Sequence, residues 1–321
     1  MKKSQEIINQ HIDSLHWSQE PRHLYEPVGY ILSQGGKRIR PQLCLLSAEL
    51  FGGDPQQAIY PAIAFEMLHN FTLIHDDIMD KADLRRGKET VYKKWNTNIA
   101  ILSGDTLFAK SYQYLLKYQG NHLRELVSLL TETSVEICEG QQWDLDFEQQ
   151  NDITIAQYLD MTRLKTAVML AACLKAGAIV AEASEQDRQF IYDFGIKTGL
   201  AFQIQDDLLD VYADVNKFGK NVGGDIAENK KTYMSLKAIE LAQGEYLQQL
   251  QHYFSSTIFD RQEKFTAVKA VYDKYQIKNH AENLINKYYN DAFTSLEAIN
   301  RPKEAKQPLV DFVNQMMKRD H

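Results

Sequence analysis

Two stretches decide the reading: Phe71-Thr-Leu-Ile-His-Asp76-Asp77-Ile-Met-Asp80 and, about 130 residues later, Phe202-Gln-Ile-Gln-Asp206-Asp207-Leu-Leu-Asp210. Each carries DDxxD inside an apolar run, and the two align position by position from Ile74/Ile204 to Asp80/Asp210. On a helix, residues four apart share a face about 6 Å apart along the axis. Asp76 and Asp80 therefore project together, as do Asp206 and Asp210, while Asp77 and Asp207 point about 100° away. A single DDxxD is most often a solvated acidic face. Two copies in apolar surroundings are different, because like charges four apart destabilise a helix by tenths of a kcal/mol. Burial raises that cost further unless a cation offsets it. Carboxylates without accompanying His/Cys sets favour a hard cation. Magnesium, which keeps waters and accepts phosphate oxygens, suits one or two carboxylates per ion. The pattern points to a polyphosphate gripped through several metal ions.

Outward from these stretches the chain reads as helix. Apolar residues recur at helical spacing through Ala62, Phe65, Leu68, Leu73 and Ile74, then Leu102, Leu107, Tyr112 and Leu115, then Leu126, Leu129, Leu130 and Ile137. Sixteen glycines and seven prolines in 321 residues are roughly 7% where average usage is about 12%. That leaves little room for the turns of a sandwich or barrel. Punctuation is sparse, at Gly35-Gly36, Gly52-Gly53-Asp54-Pro55, Gly87, Asn121, Asn151-Asp152 and Arg301-Pro302. These breaks imply about ten or more helices and no strand run of any length. With no linker, low-complexity tract or repeat, residues 1–321 read as one large all-α domain. The one irregular polar stretch is Tyr212 to Thr232, with Gly219, Gly223, Gly224 and four lysines. Loops that long in compact domains are usually either functional or disordered.

The net charge of −7 argues against nucleic acid, whose binders present a basic surface. Cys44, Cys138 and Cys173 are far apart and odd in number, which suggests no disulfide framework. The longest apolar stretch, Val168 to Ala181, contains Lys175 and falls short of the roughly 20 residues of a membrane span. No targeting signal is visible after Met1-Lys2-Lys3. The expectation is a cytoplasmic protein without a stable membrane span.

A polyanion also needs direct donors. Gly35-Gly36-Lys37-Arg38-Ile39-Arg40-Pro41 puts Lys37 and Arg40 three apart, and Arg85-Arg86-Gly87 follows the first acidic cluster. Lys165-Thr166 offers a cation beside a hydroxyl, and the polar stretch supplies Lys217, Lys220, Lys230 and Lys231. Each alone is usually a solvated patch. Their closeness in sequence to the carboxylates raises them, since Arg forks and Lys point charges recognise diphosphate. His69 by itself is as readily a satisfied histidine as a ligand.

These residues resemble the trans-prenyltransferases, the all-trans polyprenyl diphosphate synthases. The resemblance runs in order over roughly residues 30 to 235 and rests on GGKRIRP, LIHDDIMDKADLRRGKET, GDTLFAKSY, KTA at Lys165 to Ala167, FQIQDDLLD, and GKNVGGD followed by KKT. It implies a helical bundle of the isoprenoid synthase type with a central active-site cavity. The implied activity is magnesium-dependent, head-to-tail condensation of isopentenyl diphosphate with an allylic diphosphate: dimethylallyl, geranyl or farnesyl. By resemblance, Asp76, Asp80 and Asp206, with Asp210 nearby, bind magnesium, three ions per site, on the allylic diphosphate. Lys37, Arg40, His69 and Arg86 match positions that hold isopentenyl diphosphate. Arg85, Lys165, Thr166, Gln203, Lys220 and Lys230 match positions around the allylic substrate; Asp76, Asp80, Arg85, Lys165, Asp206 and Lys220 are the implied catalytic set. The fold commonly dimerises, so the implied partner is a second copy of the chain.

Two positions depart from the family. Its usual Gly before Lys230 is Asn229, and its Pro after Thr-Tyr is Met234. Asn tolerates positive φ, so the turn is expected to persist. In this family the residues four and five before the first motif, here Thr72 and Phe71, floor the product cavity. A bulky Phe71 with a small Thr72 favours a twenty-carbon geranylgeranyl product over a fifteen-carbon farnesyl one.

Three alternatives compete. A class I terpene cyclase has one DDxxD and a mixed second site, which Asp206–Asp210 does not match. An HD-type metal phosphohydrolase would use His69 and His75-Asp76, leaving the second DDxxD without a role. A regulatory subunit of a two-component synthase usually lacks the aspartate motifs that are complete here.

Overall fold

The computed structural model describes residues 2–150, 152–213, 223–255 and 259–318. Among them the helices run α1 (Lys2–Asp13), α2 (Arg22–Ser33), α3 (Ile39–Leu50), α4 (Pro55–Met79), α5 (Val91–Lys94), α6 (Thr97–Leu115), α7 (Leu123–Glu148) and α8 (Ile155–Thr162). A π-helical turn, Arg163–Ala167, leads into α9 (Val168–Val180) and α10 (Glu185–Tyr212). Then follow α11 (Gly224–Ala227), α12 (Tyr233–Leu241), α13 (Glu245–Ser255), α14 (Arg261–Lys274), α15 (Ile277–Ala298) and α16 (Lys303–Met317). The all-α expectation holds. The exception is a hairpin of two short antiparallel strands, β1 (Leu84–Arg85) and β2 (Lys88–Glu89). Its two-residue loop, Arg86-Gly87, has positive φ at both positions (54° and 74°), as the twist of a tight hairpin requires.

The chain divides into two compact units, each drawn from three stretches. One comprises Met1–Ser134, Ala172–Tyr192 and Ile299–Phe312; the other Val135–Ala171, Asp193–Ala298 and Val313–His321. Four of the five boundaries fall inside α7, α9, α10 and α16, and the fifth at the end of α15.

In the first unit α4 packs against α3 and α6. Its sequence is apolar on nearly every face, with Ala58, Ile59, Ala62, Ile63, Phe65, Leu68 and Ile74 buried. A helix of that kind belongs in a core. Asp54 caps its start, accepting from Gln56 N at 2.9 Å, with Pro55 in the first turn. The helix ends at Asp80, whose N–H still donates to Asp76 O at 2.8 Å.

The second unit is built around Phe147, Tyr158, Ile204, Leu208, Val211, Ile226, Tyr233, Leu250, Val268 and Tyr272. The capping box Thr154/Gln157 starts α8, and Thr232/Ser235 forms another at α12. The apolar stretch at Val168 is a thirteen-residue buried-core helix. No described helix is long and apolar enough to cross a membrane, and no disulfide joins the three cysteines.

Candidate functional site

In the first unit, GGKRIRP forms the entry to α3 and gathers cations. Arg38 takes a left-handed conformation (φ 47°) and is buried. Its guanidinium donates to Glu66 Oε1 at 2.6 Å and to Leu32 O at 2.5 Å. Flanking it, Lys37 is exposed, and Arg40 Nη1 lies 3.0 Å from His69 Nε2. Burial and the charges of Arg40, Arg86, Arg85 and Arg38 hold the His69 imidazole well below its usual pKa. It is therefore neutral, and its Nε2 accepts from Arg40. Arg86, on the hairpin loop, donates to Gly35 O. Its guanidinium would lie 3.1 Å from a Cβ added at Gly36, so a side chain there would crowd it. Arg40, His69 and Arg86, far apart in sequence, are thus close enough for both guanidinium charges to act on the imidazole, while Lys37 stands exposed at the entry to α3.

On the last turns of α4, Asp76 is partly buried and Asp80 exposed, while Asp77 is 1% exposed. Arg85 reaches back from β1 to Asp77 Oδ1, with Nε at 2.8 Å and Nη2 at 2.7 Å. The geometry separates the three acids as the helical spacing predicts. Asp77 is a structural partner that holds the hairpin, and burial pushes its pKa up despite Arg85. One turn earlier, the Phe71 ring packs on His75 (4.7 Å) and Phe108 (5.2 Å), and Thr72 Oγ1 donates to His69 O at 2.8 Å. His75 approaches Ile101 O (3.3 Å) and Gly104 on α6. The two histidines an HD-type site would use are engaged elsewhere.

In the second unit the π turn carries Lys165 and Thr166. Such bulges shift the helical register and recur at functional sites. Gly140 on α7 makes room for it, since a Cβ there would sit 2.4 Å from Lys165 N. Lys165 Nζ donates to Asp144, one turn further along α7. Thr166 Oγ1 donates to Gln203 Oε1 (3.3 Å), and Gln203 Nε2 donates to Asp207 Oδ1 (3.1 Å). Tyr158 donates to the other Asp207 oxygen. Asp207 is 5% exposed, and burial with the nearby Asp225 charge pushes its pKa up to about 8.

Asp206 is exposed. Asp210 accepts from Gly224 N (3.2 Å) and Asp225 N (3.0 Å), fixing the start of α11 against α10. Asp225 is raised to about 7 by burial and by Asp210. Lys230 Nζ lies 3.6 Å from Asp225 Oδ1 and 3.2 Å from Glu228 Oε2. Asn229 has φ 60°, so the turn expected from a glycine there does persist. Lys220 and Lys217, with Gly219, lie outside the described residues. Asp144, Tyr158, Gly140 and Asp225 were not singled out from the sequence. Asp144 falls one helical turn after Gly140, and Asp225 directly follows Gly223-Gly224; those were the available signals.

Among the described residues no three His, Cys, Asp or Glu side chains converge as a closed metal cage. The donors present, carboxylate oxygens crowded enough in the second unit to raise each other's pKa, fit a hard divalent cation. Magnesium completes its octahedron with water and substrate phosphate rather than with a full protein cage. The Polyprenyl synthetase family pattern matches residues 21–274. The chain belongs to that family.

Polyprenyl synthetase relatives match along the whole length. A short chain isoprenyl diphosphate synthase of Methanothermobacter thermautotrophicus is 37% identical, over 100% of this chain and 98% of its own. A geranylgeranyl pyrophosphate synthase of Geoglobus acetivorans is 36% identical, over 100% and 98%. A crystal structure of a geranylgeranyl pyrophosphate synthase superposes with a TM-score of 0.95 at 42% identity, covering 100% of this chain and 99% of that one. The all-helical polyprenyl synthase fold is therefore that of this chain. Enzymes of this family act on isopentenyl and allylic diphosphates and use magnesium.

Proposed function

We propose that this chain is a short-chain all-trans prenyl diphosphate synthase. It joins isopentenyl diphosphate head-to-tail to an allylic diphosphate and releases diphosphate, with geranylgeranyl diphosphate as the favoured product and farnesyl diphosphate next. The observation that carries the reading is the presence of both complete aspartate motifs in a chain matched end to end by geranylgeranyl pyrophosphate synthases.

In this reading Asp76, Asp80, Asp206 and Asp210 hold magnesium, three ions per site. The bound metal would supply charge neutralisation for the departing diphosphate. Lys37, Arg40, His69 and Arg86 take the isopentenyl diphosphate; because His69 is neutral, it adds a hydrogen bond rather than a charge. Arg85, Lys165, Thr166, Gln203, Lys220 and Lys230 take the allylic diphosphate and stabilise charge as its carbon–oxygen bond ionises. The isopentenyl double bond then attacks the allylic cation, and a proton leaves to give the lengthened chain. No side-chain nucleophile is needed. Phe71, braced by Phe108, is read as the cavity floor that limits chain length. The protein is read as a cytoplasmic homodimer; Ile101 and Leu102, 41% and 57% exposed on α6, suit a subunit contact.

Diphosphate release, followed with isopentenyl and farnesyl diphosphates separately and together, with and without a chelator, tests this. Release that needs both substrates and a divalent cation is expected. Release from the allylic substrate alone would instead favour cyclisation or hydrolysis and overturn the proposal.

A further inference from the structure

Lys264 is fully buried (0% exposed) on α14, and the chemistry described so far has no use for it. A buried ammonium is costly unless paired. Among the described residues no carboxylate pairs with it. Its partners are the amide oxygen Oδ1 of Asn229 and the Phe259 ring, whose centroid is 4.0 Å from Nζ. A ring face gives a cation partial compensation, and the amide oxygen gives one charge-assisted hydrogen bond. Burial and the Lys231 charge push its pKa down to about 8.

The other end of that hydrogen bond is the informative one. Asn229 holds φ 60°, a conformation Asn adopts more readily than other side chains but at more cost than glycine. It immediately precedes Lys230, whose N–H donates to Asp225 O at 2.9 Å and whose carbonyl accepts from Thr232 N and Ser235 Oγ, both at 3.1 Å. On the α10 side the same turn is tied down through Gly224 and Asp225 to Asp210. On the α14 side the tie is Lys264.

We infer that Lys264 is a positioning residue for substrate binding: from α14 it grips the Asn229 side chain, fixes the left-handed turn, and so aims Lys230 at the allylic diphosphate. The inference rests on the proposed role of Lys230. It explains how this chain keeps a turn that glycine would form unaided. Asn229 supplies the handle and Lys264 the clamp.

The test uses the full-length enzyme with farnesyl diphosphate, isopentenyl diphosphate and magnesium. Lys264→Met keeps the apolar stem and removes the clamp. It is expected to raise KM for the allylic substrate about tenfold while kcat changes by less than about threefold. Asn229→Ala, which loses the amide and resists positive φ, should do the same with Lys264 in place; it keeps the test open should Lys264→Met fold poorly. The double variant Asn229→Gly/Lys264→Met should return KM to within about twofold of the wild type, because glycine holds the turn without a clamp. An unchanged KM in Lys264→Met, or a double variant no better than the single one, overturns the inference. So does a Lys230→Ala variant with unaltered KM in an otherwise active enzyme. A wild type that makes no prenyl product fails at the proposed function itself, and is distinguished by that.

Discussion

Replacing Arg38 by Met is the most informative single perturbation of the first unit. Arg38 and Glu66 side chains are each 4% exposed and meet at 2.6 Å. The substitution also removes the guanidinium donor to Leu32 O. Methionine occupies much of the same volume, so the cavity contribution is small and the stranded charge dominates. Glu66 would keep the Asn70 Nδ2 hydrogen bond at 3.3 Å and the longer-range charges of Arg40 and Arg86, but lose its short ion pair. Breaking one side of a buried pair costs about 3–5 kcal/mol. At roughly 2 °C per kcal/mol for a long chain, the melting temperature should fall by about 6–10 °C. Adding Glu66→Gln removes the stranded charge, and Arg38→Met/Glu66→Gln should recover more than half of that loss. The assay is thermal unfolding of the three variants and the wild type, with KM for isopentenyl diphosphate measured in parallel, since Arg38 sits between Lys37 and Arg40. A melting temperature within about 2 °C of the wild type for Arg38→Met, or losses that simply add in the double variant, would refute the reasoning.

Other expectations concern function and pH. Gly140→Ala places a Cβ 2.4 Å from Lys165 N, against backbone that cannot swing aside. We expect about 1–3 kcal/mol of lost stability and a fall in kcat/KM for the allylic substrate; unchanged kinetics would mean the π turn has no role in binding. His69 is held below its ordinary pKa of 6.5, so below about pH 6.5 the unfolded chain binds a proton that the folded one refuses. Stability contributed here is full above that pH and declines on acidification by about 1.4 kcal/mol per unit until the folded imidazole also protonates. His69→Gln should flatten that part of the stability curve, and an unaltered curve would contradict the neutral imidazole. Phe71→Ala should lengthen the product, as sized by chromatography of the dephosphorylated alcohols; an unchanged length would leave Phe71 as core packing.

Much of this was legible in the chain itself. The DDxxD spacing separates Asp76 and Asp80 from the buried Asp77, because helical geometry alone decides which carboxylates share a face. Breaks such as Gly52-Gly53-Asp54-Pro55 mark real helix ends, since a left-handed Gly52 and a capping Asp54 are local chemistry. The π turn at Arg163–Ala167 was not legible. It packs its backbone against Gly140, more than twenty residues away, and no local propensity records that. The division into two units was equally hidden, because four of its five boundaries lie inside continuous helices and leave no change of composition. Nothing in the local sequence marks Lys264; only tertiary packing of α14 reveals that it is buried against Asn229.

The most direct test of the central assignment is the chain length of the product made by the wild-type protein. Isopentenyl diphosphate would be supplied with magnesium and, in turn, with dimethylallyl, geranyl and farnesyl diphosphate. Elongated prenyl diphosphates are expected from each starter, converging on twenty carbons. Hydrocarbon formed from the starter alone, or phosphate release without any new carbon–carbon bond, would contradict the assignment.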